Sequence, residues 1–184
     1  MLPDIKKAPN IFLTGFMGSG KTTIGKEVAR HLGFEYLDID EIIEQLTGKS
    51  IAEIFQQDGE QFFRMLEKQV LNECIQKNNI VVSLGGGTLI DPHNVAAVKQ
   101  SGILIHLSAE PEEIWERIET TNKRPLLQKL DGTLVPEHET LEHIAKLLSI
   151  RQKGYNLADT VIPTDNKNQD EVLTIILNYI STIG

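Results

Sequence analysis

Positions 15 to 22 read "GFMGSGKT", a spacing of glycines, a lysine and a hydroxyl that suits the cradling of phosphate groups. Glycines let successive backbone N–H groups turn inward around phosphate oxygens, and the N-terminus of a following helix adds partial positive charge. Gly18, Ser19, Gly20, Lys21, Thr22 and Thr23 are the candidate contacts, with Lys21 reaching the β and γ oxygens and Thr22 offering its hydroxyl to Mg²⁺. The expected ligand is a nucleoside triphosphate with its magnesium ion. The motif is silent about a second substrate.

A P-loop needs another carboxylate near the metal, usually at the end of a neighbouring strand. The strand in "GILIHLSA" ends without one, whereas "EYLDIDEIIEQLTG" at positions 35 to 48 supplies Asp38 and Asp40. Asp38 is the candidate metal partner. If the strand stays extended here, side-chain alternation puts both aspartates on one side, facing the cradle. Asp40 has a second reading as the N-cap of the helix that begins "EIIEQL", and the two roles are compatible.

These residues need a scaffold, and the chain around them alternates short β-rich runs with amphipathic segments. "NIFLT", "FEYLD", "IVVSL", "GILIHL" and "DTVIPT" read as strands, which points to an α/β fold with a mainly parallel sheet. "SIAE" offers Ser50 and Glu53 as a capping box, and "DPHN" puts Pro92 in a first turn behind Asp91. Gly33, Gly48, Gly59 and Gly102 sit where helices should stop. Residues 60–77 read as a long amphipathic helix, on which Cys74 falls at core spacing with Phe62, Leu66 and Val70. From Arg124 to Glu139 no period is sustained, and two prolines with a "DG" pair suggest an irregular loop of the kind that forms lids.

With 184 residues and 40% apolar content, the chain fits one domain, 1–184. Its formal charge of −8 and scattered basic residues argue against nucleic acid or an anionic lipid surface as partner. The apolar runs are too short to cross a bilayer, and the start "MLPDIKKAPN" has no apolar signal segment, so a cytoplasmic location is expected. A single cysteine excludes an internal disulfide. The histidines show no metal-binding spacing, and Trp115 reads as core or as a wall beside the nucleotide.

Taken in order, the P-loop, "LDIDEIIE", "FFRMLE", "SLGGGTL", "RPLL" and "SIRQKGYNLAD" resemble the motifs of bacterial shikimate kinases over nearly the whole chain. The resemblance implies a three-layer P-loop kinase fold related to the nucleoside monophosphate kinases. In that fold a five-stranded parallel sheet is flanked by helices, with a small helical substrate-binding region at about 39–68 and a lid at about 120–140. It implies transfer of the γ-phosphoryl of ATP to the 3-hydroxyl of shikimate, on the route to chorismate and the aromatic amino acids, by a Mg²⁺-dependent monomer.

The same resemblance assigns roles. Asp40 would bind the shikimate hydroxyls and orient or deprotonate the attacking one, and Arg64 and Arg151 would hold the shikimate carboxylate, for which a planar guanidinium is suited. Gly85, Gly86 and Gly87 would bring backbone close to the substrate ring, with Gly86 donating a hydrogen bond. Arg124 would reach ATP and the transferring phosphoryl, and Arg117 would stack on adenine.

Each has an ordinary alternative. Arg64 can pair with Glu60 or Glu67 at helical spacing and Arg117 with Glu113; Arg151 can be a solvated helix-end cation; the glycines can be a plain strand-to-helix turn. Two departures from the family pattern stand out. The segment from Arg124 to Arg151 is several residues longer than usual, and "PTDNKNQDE" lacks the arginine that often holds adenine, offering Lys167 or Asn168 instead. Two other functions share the cradle: another small-molecule kinase, such as one for gluconate, and a non-catalytic nucleotide-binding switch.

Overall fold

The apolar runs form five strands in the computed structural model, which describes residues 9–119 and 136–183. They are β1 (Asn10–Thr14), β2 (Glu35–Asp38), β3 (Ile80–Ser83), β4 (Gly102–Ser108) and β5 (Thr160–Pro163). All pair in parallel in the order β2-β3-β1-β4-β5. Sheets of this kind are covered on both faces, so their central strands read as near-continuous apolar runs. Every residue of β1 and β3 is buried.

Between the strands run α1 (Lys21–Leu32), α2 (Ile39–Thr47), α3 (Ile51–Gln57), α4 (Glu60–Cys74), α5 (Pro92–Ser101), α6 (Pro111–Glu119), α7 (Glu137–Tyr155) and α8 (Gln169–Ile183), with a 3₁₀ turn at Thr88–Ile90. Strand periodicity divides the core. Ile11 and Leu13 face a layer with Val28, Ile105, Ile176 and Ile180, while Phe12 faces a second layer with Ile39, Ile54, Phe63 and Leu71. A smaller cluster of Phe16, Ile114, Ile118 and Ile144, with Trp115 against it, joins α6 to α7 beside the cradle.

Most helix punctuation behaves as the sequence suggests. Gly33 and Gly48 close α1 and α2 in left-handed geometry, Ser50 and Glu53 form the capping box of α3, and Asp91 caps α5 with Pro92 at its start. Gly59 serves two helices: at φ 86° it follows the α3 C-cap Asp58 with its N–H on the Ile54 carbonyl at 3.0 Å, and it is also the N-cap of α4. Gly102 is an extended residue whose added Cβ would lie 2.1 Å from the Asn10 carbonyl oxygen, so strand contact requires it there. Helix α4 ends at Cys74 instead of 77 and buries Phe63; Phe62 is exposed, because the packing stripe runs through Phe63, Glu67, Val70, Leu71 and Cys74.

Residues Glu137–Glu139, read from sequence as loop, open α7. Arg124 and the rest of the expected lid up to position 135 lie outside the described residues. Among the described residues no helix is long and apolar enough to cross a membrane.

Candidate active site

The carboxyl ends of parallel strands are where open α/β sheets bind ligands. Here β1 runs out into Gly15, β2 ends on Asp38, and β3 leads through Leu84 into the triple glycine. The loop after β1 holds Gly15, Gly18 and Gly20 at φ 148°, 77° and 92°, values that L side chains rarely adopt. Gly15 is also required sterically, since a Cβ would sit 2.4 Å from the Leu107 carbonyl oxygen. Lys21 folds over the loop, donating to the carbonyl oxygens of Gly15 at 2.8 Å and Phe16 at 3.0 Å. Burial pulls its ammonium down to about 8 against the opposing pull of Asp40 and Asp38. Ser19 Oγ and Thr14 Oγ1 are buried there without a hydrogen-bond partner among the described residues.

Asp38, not Asp40, is the N-cap of α2. Its Oδ1 accepts from the backbone N–H of Asp40 at 3.1 Å and of Glu41 at 3.4 Å. Its Oδ2 accepts from Thr22 Oγ1 at 3.1 Å and from the Tyr36 hydroxyl at 3.0 Å. The extended strand therefore stops one residue earlier than alternation required, and Asp40 reaches the same cavity from the first turn of a helix. Its Oδ1 is buried and has no hydrogen-bond partner among the described residues. Burial, with Asp38 and Glu67 nearby and Lys21 opposing, pushes the Asp40 carboxyl up to about 6.

The triple glycine is a matter of space. None of the three glycines has positive φ, yet each would collide with a different polar side chain if it carried a Cβ. At Gly85 the Cβ would lie 2.7 Å from Glu67 Oε1 and 3.1 Å from Asp40 Oδ1; at Gly86, 2.5 Å from an Arg151 nitrogen; at Gly87, 2.7 Å from an Arg64 nitrogen. Three helices distant in sequence, α2, α4 and α7, thus meet on one turn. Arg64 has the helical ion pairs allowed for it, to exposed Glu60 at 3.2 Å and buried Glu67 at 2.8 Å. Arg151 stacks on the Phe16 ring at 4.9 Å and shows no ion pair among the described residues.

Two cavities flank the cradle and share Gly18, Gly20, Thr23, Arg117 and Gln169. One, of about 1040 Å³, is lined by Lys21, Thr22, Asp38, Asp40 and the apolar Ile51, Ala52, Phe55 and Leu84. Arg64 and Arg151 stand against the adjacent glycine turn. The other, of about 650 Å³, is bordered by Ser19, Glu113, Thr164, Lys167 and Asn168. Arg117 is the wall between them. It pairs with Glu113 at 2.8 Å and donates to the Gly18 carbonyl at 3.2 Å and the Thr164 carbonyl at 2.9 Å. Asn168 is engaged as the cap of α8, exchanging hydrogen bonds with Glu171, which leaves Lys167 as the exposed cation of that rim.

Several site neighbours escaped the sequence reading. Glu67 was visible only as a helical partner for Arg64, although a carboxylate within an apolar stripe was a signal; it is 1% exposed and accepts from Thr88 Oγ1 at 2.5 Å. Tyr155, one turn beyond Arg151, donates to the Gly86 carbonyl at 3.0 Å and stacks on His106 at 4.3 Å. Burial holds the His106 imidazole down at about 4, and so neutral.

The parallel sheet, the glycine cradle and the lysine at its helix start define a P-loop kinase. The family model for shikimate kinase matches residues 17–181. A shikimate kinase from Caldanaerobacter subterraneus subsp. tengcongensis is 41% identical over 95% of this chain and 98% of its own. One from Chlorobaculum tepidum is 45% identical over 85% of this chain and 82% of its own. The solved shikimate kinase of Acinetobacter baumannii in complex with shikimate superposes with a TM-score of 0.84 at 36% identity, covering 97% of this chain and 96% of that one. The chain belongs to the shikimate kinase family.

Proposed function

We propose that this protein transfers the γ-phosphoryl of ATP to the 3-hydroxyl of shikimate, giving shikimate 3-phosphate and ADP, as a monomer in the cytoplasm. The observation that carries the reading is the convergence of Asp40, Arg64 and Arg151 on the three glycines beside the phosphate cradle. Shikimate offers one carboxylate and a set of hydroxyls, and this wall offers two guanidinium groups and one buried carboxylate.

Asp40 is suited to take the proton of the attacking hydroxyl. A carboxylate raised to about 6 is a stronger base than an exposed one, yet it is mostly ionised at neutral pH. Arg64 exchanges its exposed partner Glu60 for the substrate carboxylate at little cost, while buried Glu67 keeps the guanidinium aimed. Arg151 meets the same carboxylate from the Phe16 side, and the Gly86 N–H donates to an oxygen carried by the substrate ring. Lys21 leaves the loop carbonyls for the β and γ oxygens, where added negative charge further favours its ammonium form. Arg117 borders the adenine side of the nucleotide, and Arg124 is assigned to the transferring phosphoryl. Phosphoryl transfer depends chiefly on positioning and charge stabilisation, so direct in-line transfer without a covalent enzyme intermediate fits this donor set.

The residues fit Mg²⁺. Thr22 and Asp38 present only oxygen, and among the described residues no group of three or more His, Cys, Asp or Glu could hold a metal by itself. Such a sparse set suits an ion carried mainly by nucleotide phosphates and water. When bound, the ion neutralises charge on the β and γ oxygens.

A coupled assay of ADP release offering shikimate, quinate, gluconate and nucleoside monophosphates tests the reading. Turnover with shikimate well above the others is expected. Turnover with gluconate alone would transfer the assignment to that class of kinase, and ATP binding without transfer to any acceptor would favour a nucleotide-binding switch.

A further inference from the structure

We propose that Tyr36, braced by Ser83, is a positioning residue that locks the Asp38 carboxylate so that Thr22 is oriented toward a divalent cation. This rests on the placement of Mg²⁺ beside Thr22 and Asp38 given above.

A carboxylate has roughly four lone-pair directions. On Asp38 all four have a donor: the N–H groups of Asp40 and Glu41 at Oδ1, and the hydroxyls of Thr22 and Tyr36 at Oδ2. The carboxylate therefore acts on the ion by accepting the Thr22 proton, which leaves the Thr22 lone pairs for the cation. Two donors on Oδ2 fix the carboxylate plane better than one, because rotation about the terminal torsion would break both bonds.

Tyr36 is itself held. Its hydroxyl lies 2.9 Å from Ser83 Oγ and has one proton. Both contacts are satisfied when Ser83 donates to Tyr36 and Tyr36 donates to Asp38. Strand register brings Ser83 there, since Asp38 and Ser83 are paired in the β2–β3 ladder. The ring is fixed from the other side by α1, where a Cβ on Gly25 would come within 2.5 Å of Tyr36 Cε2.

The test is calorimetric titration of ADP in Mg²⁺ and again in EDTA, so that the ratio of affinities reports the metal alone. Losing a group that orients a metal ligand generally weakens metal binding by about 10- to 100-fold. For Tyr36→Phe, which keeps the ring against Gly25, we expect the Mg²⁺-dependent gain to fall by about tenfold, with ADP affinity in EDTA and shikimate affinity unchanged. Ser83→Ala should act in the same direction and more weakly, and the double variant should be no worse than Tyr36→Phe. If Asp38→Asn loses the gain while Tyr36→Phe and Ser83→Ala keep it, the hydroxyl pair has only a packing role and the proposal is overturned while the metal placement stands. If Asp38→Asn keeps the gain, or the unmodified protein shows none, the metal placement fails and the proposal with it.

Discussion

The two halves of the site are built differently. The phosphate cradle is a run of eight residues, Gly15 to Thr22, whose donors are backbone groups set by glycine torsions and the start of α1. The acceptor half has no such run: Asp40 comes from α2, Arg64 and Glu67 from α4, the glycines from the turn after β3, and Arg151 from α7. A cradle of local geometry survives imperfect packing elsewhere. A wall assembled from four segments is only as exact as the core that joins them, so substitutions should separate acceptor binding from nucleotide binding.

The largest separation is expected at Asp40. Asp40→Asn should lower kcat by about 10²- to 10⁴-fold, as removal of a general base does, while ATP affinity stays near that of the unmodified protein. Stopped-flow or coupled kinetics alongside nucleotide titration would measure both, and a kcat within a few-fold would make Asp40 a binding group only.

The two arginines sharpen the contrast within the acceptor half. Arg64→Ala and Arg151→Ala should each raise the KM for shikimate by roughly 10- to 100-fold, the loss of one charge-assisted contact. They should differ in stability. Arg64→Ala strips the charged partner from buried Glu67, leaving it only the Thr88 hydroxyl among the described residues, and should cost roughly 1–3 kcal/mol, partly restored by adding Glu67→Gln. Arg151, without an ion pair among the described residues, should unfold at nearly the original denaturant concentration. Equal destabilisation by both would contradict this account of Glu67.

A smaller effect follows from pH. Because free Asp40 titrates at about 6, kcat/KM for shikimate should fall as pH drops through 6, by about tenfold at pH 5. A profile flat down to pH 5 would remove the buried base from the mechanism.

The smallest expected effect is on folding. A carboxyl whose folded value is raised from 3.8 to about 6 destabilises the native state above pH 6, and the penalty fades as pH falls from 6 to 4. Asp40→Asn should therefore be more stable than the unmodified protein at pH 8, with most of that gain gone near pH 4. Equal stability of the two proteins across that range would mean the carboxyl is better solvated than its surroundings suggest. No comparable pH-dependent gain is expected from substitutions at Gly18 or Gly20.

Much of the fold was legible because its signals are local. Strand runs, the capping box at Ser50 and Glu53, and the Asp91–Pro92 helix start each lie within a few residues of the structure they specify. Where two local readings competed, sequence could not decide. The cap of α2 fell to Asp38 instead of Asp40, and the helix that begins there packs Ile39 and Ile43 into the core.

By itself, the sequence determined the cradle, the alternation that yields a parallel sheet, and through the order of its motifs the family. Contiguous backbone torsions and hydrophobic periods are written residue by residue. Only the tertiary structure decided that the three glycines each make room for a different charged side chain, and that Glu67 is buried beneath Arg64. It alone brought Tyr36 and Ser83 together on Asp38. The glycine contacts and the Tyr36–Ser83 contact join residues distant in sequence through strand register and helix packing, which no local pattern encodes. The Arg64–Glu67 and Tyr36–Asp38 spacings are local, but their burial and orientation depend on the same packing.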